Sequence, residues 1–363
     1  MKGLLTDDFR SIVLESRPLI DVRAPVEFHK GAFPHALNLP LMNDEERHLI
    51  GIRYKEKGNA SAVALGKALI DGKPREERTA KWKAFVKAHP DAYLYCFRGG
   101  QRSQISQSWI EESGTPIIRL KGGYKAFRNF LMTESERIAK GTPTLIVGGR
   151  TGSGKTLLLH KLENMIDLEG LANHRGSTFG QKISQQPSQI DFENRLAYAL
   201  IQYENVGCKH IIVEDESFRI GNVLIPNPLF KYLMKGGRII VETPIMERID
   251  IIMDEYVTKS LKEYIHRYGD KGREKWFDDA LAGLTRIQKR LGGQRYQQMK
   301  GYISEAFKVQ QHNGDLEGHK EWIKILLEEY YDPMYDYQIE KSDIPVVFRG
   351  NAEAVLNYIK ANQ

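Results

Sequence analysis

Cys96, one of the chain's two cysteines, opens a short segment whose residue types can support nucleophilic chemistry. The segment reads Cys-Phe-Arg-Gly-Gly-Gln-Arg-Ser over residues 96–103, after a predicted apolar strand and at the start of a predicted amphipathic helix, 101–112. Two glycines allow the loop to curl with its N–H groups inward, and the helix N-terminus adds positive potential. Such a loop favours a thiolate and holds an anion beside it. We therefore predict a reactive thiolate at Cys96.

A second loop is predicted to bind phosphate. Residues 149–156 read Gly-Arg-Thr-Gly-Ser-Gly-Lys-Thr and match the pattern G-x-x-x-x-G-K-[ST] in full. The loop follows an apolar strand, 144–147, and precedes a predicted helix, 156–165, as the pattern requires. Its N–H groups and lysine are expected to wrap a diphosphate, with the threonine placed for magnesium. The residues of this predicted site are Gly149, Arg150, Thr151, Gly152, Ser153, Gly154, Lys155 and Thr156.

Two further segments are predicted to face the bound phosphates. An acidic run, 214–216, ends an apolar strand where phosphate-loop proteins keep a magnesium-side carboxylate, although its three acids weaken a prediction of ordinary ATP hydrolysis. A solvated strand end is the alternative interpretation of that run. A glycine-punctuated loop, 174–180, follows the phosphate-loop helix and is expected to contact substrate. The candidates from these segments are Arg175, Ser177, Phe179, Glu214, Glu216 and Arg219.

Two α/β units are predicted to position these loops. Strands alternate with helices over residues 1–132, and a second unit over 142–363 has strands and a largely helical region of about 245–340. The predicted strands lie at 18–22, 92–96, 115–120, 144–147, 210–214, 238–242 and 345–348. Alternation of this kind predicts an α/β fold with mostly parallel sheets.

Composition limits the location and the partners of the chain. Its 363 residues carry a net charge of +6, which is compatible with a polyanionic partner and equally with a generic surface. The two distant cysteines predict no disulfide framework, and no histidine or cysteine spacing predicts a metal site. The N-terminus turns polar too early for a signal peptide, and no apolar run approaches the roughly 20 residues that span a bilayer. We therefore expect a cytoplasmic protein with no membrane partner.

The first unit resembles the rhodanese family. Residues 21–23, 27–28 and 31–40 match that family's opening signature, and Cys96 stands where rhodaneses carry a persulfide-forming cysteine. The spacing from Cys96 to Arg102 is C-x5-R, one residue longer than the commonest sulfurtransferase loop and equal to that of a related class of phosphatases. The longer loop suits a larger tetrahedral anion, either a phosphate ester or a phosphorus-bearing chalcogen donor, and does not choose between them.

A rhodanese-like domain followed by this phosphate-loop domain resembles the bacterial tRNA 2-selenouridine synthase family over essentially the whole chain. Beyond the loops, the resemblance rests on residues 174–180, 214–216, 219–221 and 290–296. It implies a transferase of tRNA processing that acts on 2-thiouridine at the wobble position of tRNA. It also implies two steps: a geranyl group moves from geranyl diphosphate to the sulfur, and selenium from selenophosphate then replaces the geranylthio group through Cys96.

The resemblance implies a division of labour between the two loops. The phosphate loop would take the diphosphate, and Cys96 would carry selenium as a perselenide. The implied selenophosphate cradle consists of Phe97, Arg98, Gly99, Gly100, Gln101 and Arg102. No tightly bound cofactor is expected, selenophosphate and geranyl diphosphate are co-substrates, and magnesium is left open. The selenophosphate-producing enzyme is a candidate partner.

A basic surface for tRNA is predicted in the helical region. Three cations at i, i+3 and i+4 can share one helix face, and two glycines, 292–293, are expected to break the helix beside them. A solvated helix face is the alternative interpretation. The candidates for tRNA binding are Arg286, Lys289, Arg290, Arg295 and Tyr296.

Two other functions remain open at this stage. A phosphate-loop kinase or NTPase with a regulatory rhodanese-like domain would turn over ATP and remain active without Cys96. A non-catalytic sulfur or selenium carrier would hold a labile chalcogen on Cys96 and would not modify tRNA by itself. Phosphatase activity is a weaker alternative, because the filling of the C-x5-R loop matches the synthase family better.

Overall fold

The computed structural model describes residues 4–162 and 164–362, and they separate into two compact units. The first unit contains the chain up to Ile138 and, in addition, Ser188–Asn205. The second contains Ala139–Pro187 and the chain from Val206 onward. Within the described residues, no helix combines the length and the apolar character needed to cross a membrane.

The chain up to residue 141 alternates short strands with helices. In chain order these elements are β1 (Leu5–Thr6), α1 (Phe9–Leu14), β2 (Leu19–Asp21), α2 (Pro25–His29), β3 (Ala36–Asn38), α3 (Asp44–Ile70), α4 (Lys73–Ala88), β4 (Tyr93–Tyr95), α5 (Gln101–Glu112), β5 (Ile118–Leu120) and α6 (Gly123–Gly141). Helix α3 is kinked at Gly58, whose φ is +74°.

The chain after residue 141 begins in the same way and becomes mostly helical after residue 244. Its elements are β6 (Thr144–Gly148), α7 (Lys155–Leu159), α8 (Leu168–Ala172), α9 (Gln189–Val206), β7 (Ile211–Glu214), β8 (Arg219–Ile220), β9 (Val223–Leu224), α10 (Asn227–Leu233), β10 (Gly237–Val241), α11 (Ile245–Ile252), α12 (Ser260–Tyr268), α13 (Gly272–Leu291), α14 (Gly293–Asn313), α15 (His319–Leu326), α16 (Asp332–Glu340), β11 (Val346–Gly350) and α17 (Ala352–Asn362). Two π-helical segments, Met253–Lys259 and Leu327–Tyr331, and a short 3₁₀ turn, Gly269–Lys271, join helices of this region.

The first unit is built on a parallel sheet in the order β1-β5-β4-β2-β3. Its central strands are apolar on both faces, as parallel strands covered by helices must be, and Leu19, Ile20 and Leu94 are fully buried. Trp82 of α4 and Ile110 of α5 complete this core. Because Cys96 follows the central strand β4, the sheet holds it at the carboxyl edge, where α/β proteins bind ligands.

The second unit is built on a parallel sheet in the order β11-β10-β6-β7. Strand β6 is buried along its whole length and pairs with β7, with Val147 opposite Glu214. The loop after β6 and the acidic end of β7 therefore lie at the same edge of this sheet. The predicted α/β fold class, with two parallel sheets and a large helical segment, is confirmed.

Helix α9 lies in the sequence of the second unit but packs in the first. Asn194 is fully buried and its amide donates to the carbonyl of Ala32 (2.7 Å), while the carboxylate of Asp191 accepts from the N–H of Ala32 (2.7 Å). The Tyr198 and Phe127 rings lie 6.0 Å apart. The insertion therefore completes the first unit's core, an arrangement that local sequence patterns do not indicate.

Candidate active sites

The Cys96 thiol lies at the base of the predicted loop and is only 3% exposed. Its Sγ lies 3.2 Å from the Ser103 hydroxyl, which in turn donates to the carbonyl of Gly100 (3.0 Å). Ser103 stands on the first turn of α5, so the helix that follows the loop also orders its reactive group. In this geometry the thiol donates to the hydroxyl oxygen, while the hydroxyl proton is directed at the Gly100 carbonyl.

The curl of this loop depends on glycines and on the start of helix α6. Gly99 has a φ of +66°, a conformation that L side chains rarely adopt. A Cβ at Gly123 would lie 2.2 Å from the Cys96 carbonyl oxygen, so glycine is required for this close approach. The loop carbonyls are taken by the N–H groups of Tyr124 and Lys125, at 2.9 and 3.0 Å. The carbonyls thus turn towards α6.

Four arginines line the pocket above Cys96, and three of them are paired with carboxylates, including Arg47, which lies 3.2 Å from Glu27. Arg23 is 2% exposed and paired with Asp21 at 2.6 Å, and Arg102 is paired with Glu27 at 2.5 Å. Arg98 is exposed and has no ion-pair partner among the described residues. Arg98 is therefore the cation with a full charge to offer an anion, whereas Arg102 would have to share its charge with a carboxylate.

The phosphate loop is braced by the helical region of the same unit. Gly154 has a φ of +75° and precedes the first residue of α7, Lys155, whose ammonium group donates to the carbonyl of Gly149 (3.0 Å). A Cβ on Gly152 would lie 2.9 Å from the carbonyl oxygen of Arg248 on α11. The Arg248 guanidinium also donates to the Thr151 carbonyl at 2.9 Å. These contacts fix the loop against α11.

Three glutamates gather beside the lysine and threonine of the loop. The Thr156 hydroxyl lies 3.4 Å from a carboxylate oxygen of Glu169 and 3.4 Å from one of Glu214. Glu214 is 1% exposed, and its second oxygen accepts from the Glu169 N–H at 3.0 Å. Burial, and then the neighbouring Glu169 charge, raise the pKa of Glu214 to about 8 and hold that of Glu216 well above its ordinary value. The acidic run is therefore part of the phosphate-loop site.

The oxygen atoms at this position fit a magnesium ion of the kind that phosphate-loop proteins use. Thr156 and Glu214 supply hard oxygen donors next to Lys155, and Mg²⁺ is commonly held by one or two protein ligands together with substrate phosphates. No group of three or more histidine, cysteine or carboxylate side chains in the described part of the chain forms a closed metal cage. The donors thus suit an ion that arrives with a diphosphate. Such an ion would neutralise the buried carboxylates and the phosphate charge together.

The glycine-punctuated loop, 174–180, lies against the carboxylates. A Cβ on Gly176, whose φ is +63°, would lie 2.1 Å from a carboxylate oxygen of Glu169 and 2.6 Å from one of Glu216. The following side chains then point elsewhere: the hydroxyl of Ser177 lies 3.1 Å from the Tyr256 hydroxyl. The loop therefore contacts the carboxylates of Glu169 and Glu216 at Gly176, and at Ser177 it reaches a second, apolar compartment.

That compartment is an aromatic-walled pocket with a cavity volume of about 70 Å³. Thr151 of the phosphate loop contributes to its lining, as do Ser177 and Ile252. Its aromatic lining consists of Phe179, Tyr256, Tyr264, Trp276, Trp322 and Tyr331. Both π-helical segments supply lining residues, and π-helical turns occur frequently at functional sites.

Comparisons with known proteins identify both parts of the chain. A family profile described as "tRNA 2-selenouridine synthase AAA domain" matches residues 142–363, and one described as "Rhodanese-like domain" matches residues 6–130. A tRNA 2-selenouridine synthase of Sulfurovum sp. (strain NBC37-1) is 56% identical over 355 residues and covers 98% of both chains. The chain belongs to the tRNA 2-selenouridine synthase family.

More distant members of the family match equally completely. The protein of that name from Hydrogenovibrio crunogenus is 48% identical over 359 residues, covering 98% of both chains. The one from Marinobacter nauticus is 47% identical over 357 residues, covering 98% of this chain and 97% of the relative. The predicted family resemblance is thereby confirmed over the full length.

The remaining candidates of the family's second domain fall into separate environments. Arg175 lies 3.7 Å from Glu263, with its guanidinium 5.7 Å from the centre of the Tyr256 ring. Arg150 is paired with Asp336 at 2.7 Å. Arg219 lies on the exposed hairpin strand β8. Phe179 and Ser177, in contrast, lie in the wall of the aromatic pocket.

The candidates for tRNA binding lie around the junction of α13 and α14, where Gly292 has a φ of +85°. Lys289 and Arg290 are exposed on the last turn of α13. Arg286 donates to the Thr178 carbonyl at 2.8 Å and lines the aromatic pocket, while Arg295 is ion-paired with Glu329. The Tyr296 hydroxyl lies 3.1 Å from that of Thr285, and its ring is half-buried. Their part in tRNA binding stays a prediction.

Several functional candidates escape sequence reasoning. Glu169 stands on a five-residue helix with no motif around it, and the aromatic wall comes from residues spread between positions 179 and 331. Arg23 and Glu27 lie within the rhodanese signature, which was a signal for their place in the Cys96 pocket. Arg248 offered no local signal, because its contact with the phosphate loop is made by folding.

Proposed function

We propose that this chain is a selenium transferase that converts wobble 2-thiouridine of tRNA to 2-selenouridine in two steps. The phosphate-loop site transfers a geranyl group from geranyl diphosphate to the sulfur. The Cys96 site then replaces the geranylthio group with selenium from selenophosphate. Family membership supports the overall conversion, and the chemistry of the two sites supports its division.

The observation that carries the geranyl step is the aromatic-walled pocket that begins at Thr151 of the phosphate loop. A loop of this type recognises a diphosphate, and the group attached to that diphosphate has to occupy the neighbouring space. Aromatic and aliphatic walls favour an isoprenoid chain, since apolar burial contributes about 0.8 kcal/mol per CH₂ group. The exposed surface of the lining is mostly apolar, with Gln181, Asp279 and Arg286 among its polar members. It therefore favours a prenyl diphosphate over the ATP of the kinase or NTPase alternative.

The first step releases diphosphate, whose developing negative charge has to be stabilised. The C2 sulfur attacks carbon 1 of the geranyl group, the C–O bond electrons leave with the diphosphate, and the N3–H proton of the base is lost to solvent. Lys155, the loop N–H groups and a magnesium ion held near Thr156 and Glu214 would stabilise that developing charge, the kind of effect that contributes most in dry, preorganised sites. The product carries a geranylthio group, a better leaving group than the original sulfur.

The second step takes place at Cys96. Cys96 carries selenium as a perselenide, the selenium attacks C2, and the geranylthiolate leaves with the electron pair of the C2–S bond. Forming the S–Se bond from selenophosphate with release of phosphate removes two electrons, so a disulfide-class oxidant has to accept them. Two thiols then return these electrons: the first cleaves the S–Se bond and frees the selenouridine, and the second releases Cys96 from the resulting mixed disulfide as a disulfide of the two thiols. Arg98 and the loop N–H groups would hold the departing phosphate.

A tRNA partner requires a basic surface, and the exposed Lys289 and Arg290 beside the Gly292 break provide one candidate. Contacts of this kind position the backbone and weaken with salt. The selenophosphate-producing enzyme remains a candidate partner, because direct delivery would protect a reactive selenium donor from solvent.

The decisive experiment supplies the purified protein with 2-thiouridine-containing tRNA, geranyl diphosphate and selenophosphate, with a thiol–disulfide buffer as redox partner. Nucleosides from the digested tRNA are then identified by mass. We expect 2-selenouridine with the unaltered chain, and geranylated 2-thiouridine alone with Cys96→Ser. Cys208→Ser, at the other cysteine, is the matched control and should behave as the unaltered chain does. ATP consumption without either modified nucleoside would instead support the NTPase alternative.

Retention of selenation by Cys96→Ser would contradict the covalent role of Cys96. It would show that selenophosphate held by the loop attacks C2 directly, with water then cleaving the Se–P bond, a route that needs no oxidant or reductant. The two routes therefore differ in their requirement for the redox partner as well as for the thiol.

A further inference from the structure

A second apolar feature lies in the first unit, where α3 passes the start of α5. It is an open groove with a floor of buried side chains from Leu41, Ala62 and Ile70, which are 2%, 4% and 6% exposed. Ile105 and Trp109 of α5 form a wall. Neither the rhodanese signature nor the Cys96 loop requires such a groove.

The groove is continuous with the Cys96 pocket. Glu27, Arg47, Tyr54, Gln101 and Arg102 line both spaces, so one end of the groove opens at the anion-binding loop. The Arg102–Glu27 ion pair, at 2.5 Å, lies at this junction and separates a polar compartment from an apolar one. Two large apolar side chains of α3 that line the groove are exposed: Ile52 is 41% exposed and Tyr54 57%. The surface is therefore suited to an apolar ligand that reaches the loop.

The substrate proposed for selenium transfer carries an apolar group of this kind, the geranyl chain. Selenium attacks C2 of the uridine, and the geranyl chain is attached through one sulfur atom to that same carbon. When C2 is at the selenium on Cys96, a chain of ten carbons must lie within a few bond lengths of the loop. In water this chain would forfeit the favourable free energy of burying its apolar surface.

We propose that the groove between α3 and α5 binds the geranyl chain of the geranylthio intermediate during selenium transfer. This inference rests on the two-step function proposed above and assigns it a second prenyl site, distinct from the pocket beside the phosphate loop. The groove orients the C2–S bond for attack at C2, and it receives the geranylthiolate that leaves with the bond electrons and takes up a proton. An apolar leaving-group site favours the substrate that has been geranylated over one that has not.

The test compares two tRNA substrates that differ only in the length of the S-alkyl group, S-geranyl-2-thiouridine and S-methyl-2-thiouridine, with selenophosphate and no geranyl diphosphate. Gly66 lies on α3 in the groove lining, and a Cβ there would make ordinary contact with Ile50 at 3.4 Å. Gly66→Leu should fill the groove. We expect it to lower the ratio of kcat/KM for the S-geranyl over the S-methyl substrate about tenfold. Loss of the contact made by one methylene group in an apolar pocket commonly lowers kcat/KM by roughly that factor or more. Val63→Asp, which places a charge in the same lining, should lower the ratio in the same direction.

Ala64→Leu is the matched control, because Ala64 is exposed on the same helix and does not line the groove. It should leave the ratio unchanged. Turnover of the S-methyl substrate reports whether each variant is folded. An unchanged ratio in Gly66→Leu and Val63→Asp, or an equal loss on both substrates, would overturn the groove proposal while leaving the two-step function intact. Failure of the unaltered chain to selenate either substrate would instead overturn the proposed function itself.

Discussion

The two anion-binding loops of this chain differ in what surrounds them. The Cys96 pocket is lined by four arginines, and only Arg98 has no carboxylate partner among the described residues. The phosphate loop lies beside three glutamates, with Lys155 as its cation, and opens into an aromatic-walled pocket. One site is cationic and open, whereas the other is acidic, buried and apolar on one side.

This difference indicates how two loops of similar local design come to serve different anions. Both contain glycine at positive φ and precede a helix, and both are predicted to bind phosphate-like groups. A cationic, open pocket suits a small tetrahedral anion without a second ion. A site with buried carboxylates favours a diphosphate accompanied by a divalent cation, because the cation offsets both sets of negative charge. The side chains around each loop therefore distinguish the two sites more than the loop sequences do.

The largest expected effect is from Lys155→Ala. Removing the loop's cation should reduce geranylation of 2-thiouridine tRNA by about 100- to 1000-fold, the usual cost of losing one preorganised charge-stabilising group. Selenation of tRNA that already carries the geranylthio group should be unaffected, since that step uses the other loop. Lys161→Ala, an exposed lysine just beyond α7, is the control. A loss of both steps in Lys155→Ala would break the comparison by showing that the loops act together.

The next effect concerns stability and pH. The pKa of Glu214 is about 8 in the folded chain against an ordinary value of 4.5, so the folded state holds a proton that the unfolded state releases. The free energy of unfolding therefore falls as the pH rises from about 4.5 to about 8, by an amount on the order of a few kcal/mol. Glu214→Gln should remove much of this decline, so that the variant becomes more stable than the unaltered chain near pH 8. Urea unfolding of the ligand-free protein and of the variant at pH 5 and pH 8 measures this change in the free energy of unfolding.

Glu242→Gln provides the matched control for this prediction. Glu242 follows a strand of the same sheet but is exposed, at 3.9 Å from Arg349. Its replacement should leave the pH dependence unchanged. If Glu214→Gln retained the full decline of stability between pH 5 and pH 8, the acidic character assigned to the phosphate-loop site would be incorrect.

Local sequence patterns predicted the elements that carry the two loops because those elements are regular. Helix α5 begins at Gln101 and ends at Glu112, as its spacing predicts, and the strands before both loops lie where apolar runs place them. The helix predicted over 156–165 is wrong at the described residues beyond Leu159, and residue 163 lies outside the described residues. Ile166 forms a bridge with Val213 of β7, and this tertiary pairing overrides the local helical pattern.

The surroundings of the loops could not be predicted in the same way. Glu169 reaches Thr156 only because a short helix, α8, folds back along β7, and Arg248 reaches the Thr151 carbonyl across nearly a hundred residues of sequence. The aromatic pocket combines side chains of several helices with two π-helical segments, whose extra residue per turn has no simple sequence signature. Motifs therefore locate the reactive loops, and folding supplies the groups that distinguish them.

The smallest expected effect concerns the apolar side of the phosphate-loop site. The Phe179 ring lies 6.2 Å from that of Trp322 and packs against Gly283, where a Cβ would approach it to 2.5 Å. Phe179→Ala should enlarge the pocket and raise the ratio of kcat/KM for farnesyl over geranyl diphosphate by about tenfold, since apolar pockets discriminate weakly between chain lengths. Phe218→Ala, a phenylalanine of the same unit outside the pocket, should leave this ratio unchanged. If Phe179→Ala left it unchanged as well, the prenyl chain would have to bind elsewhere, and the two loops would differ in charge alone.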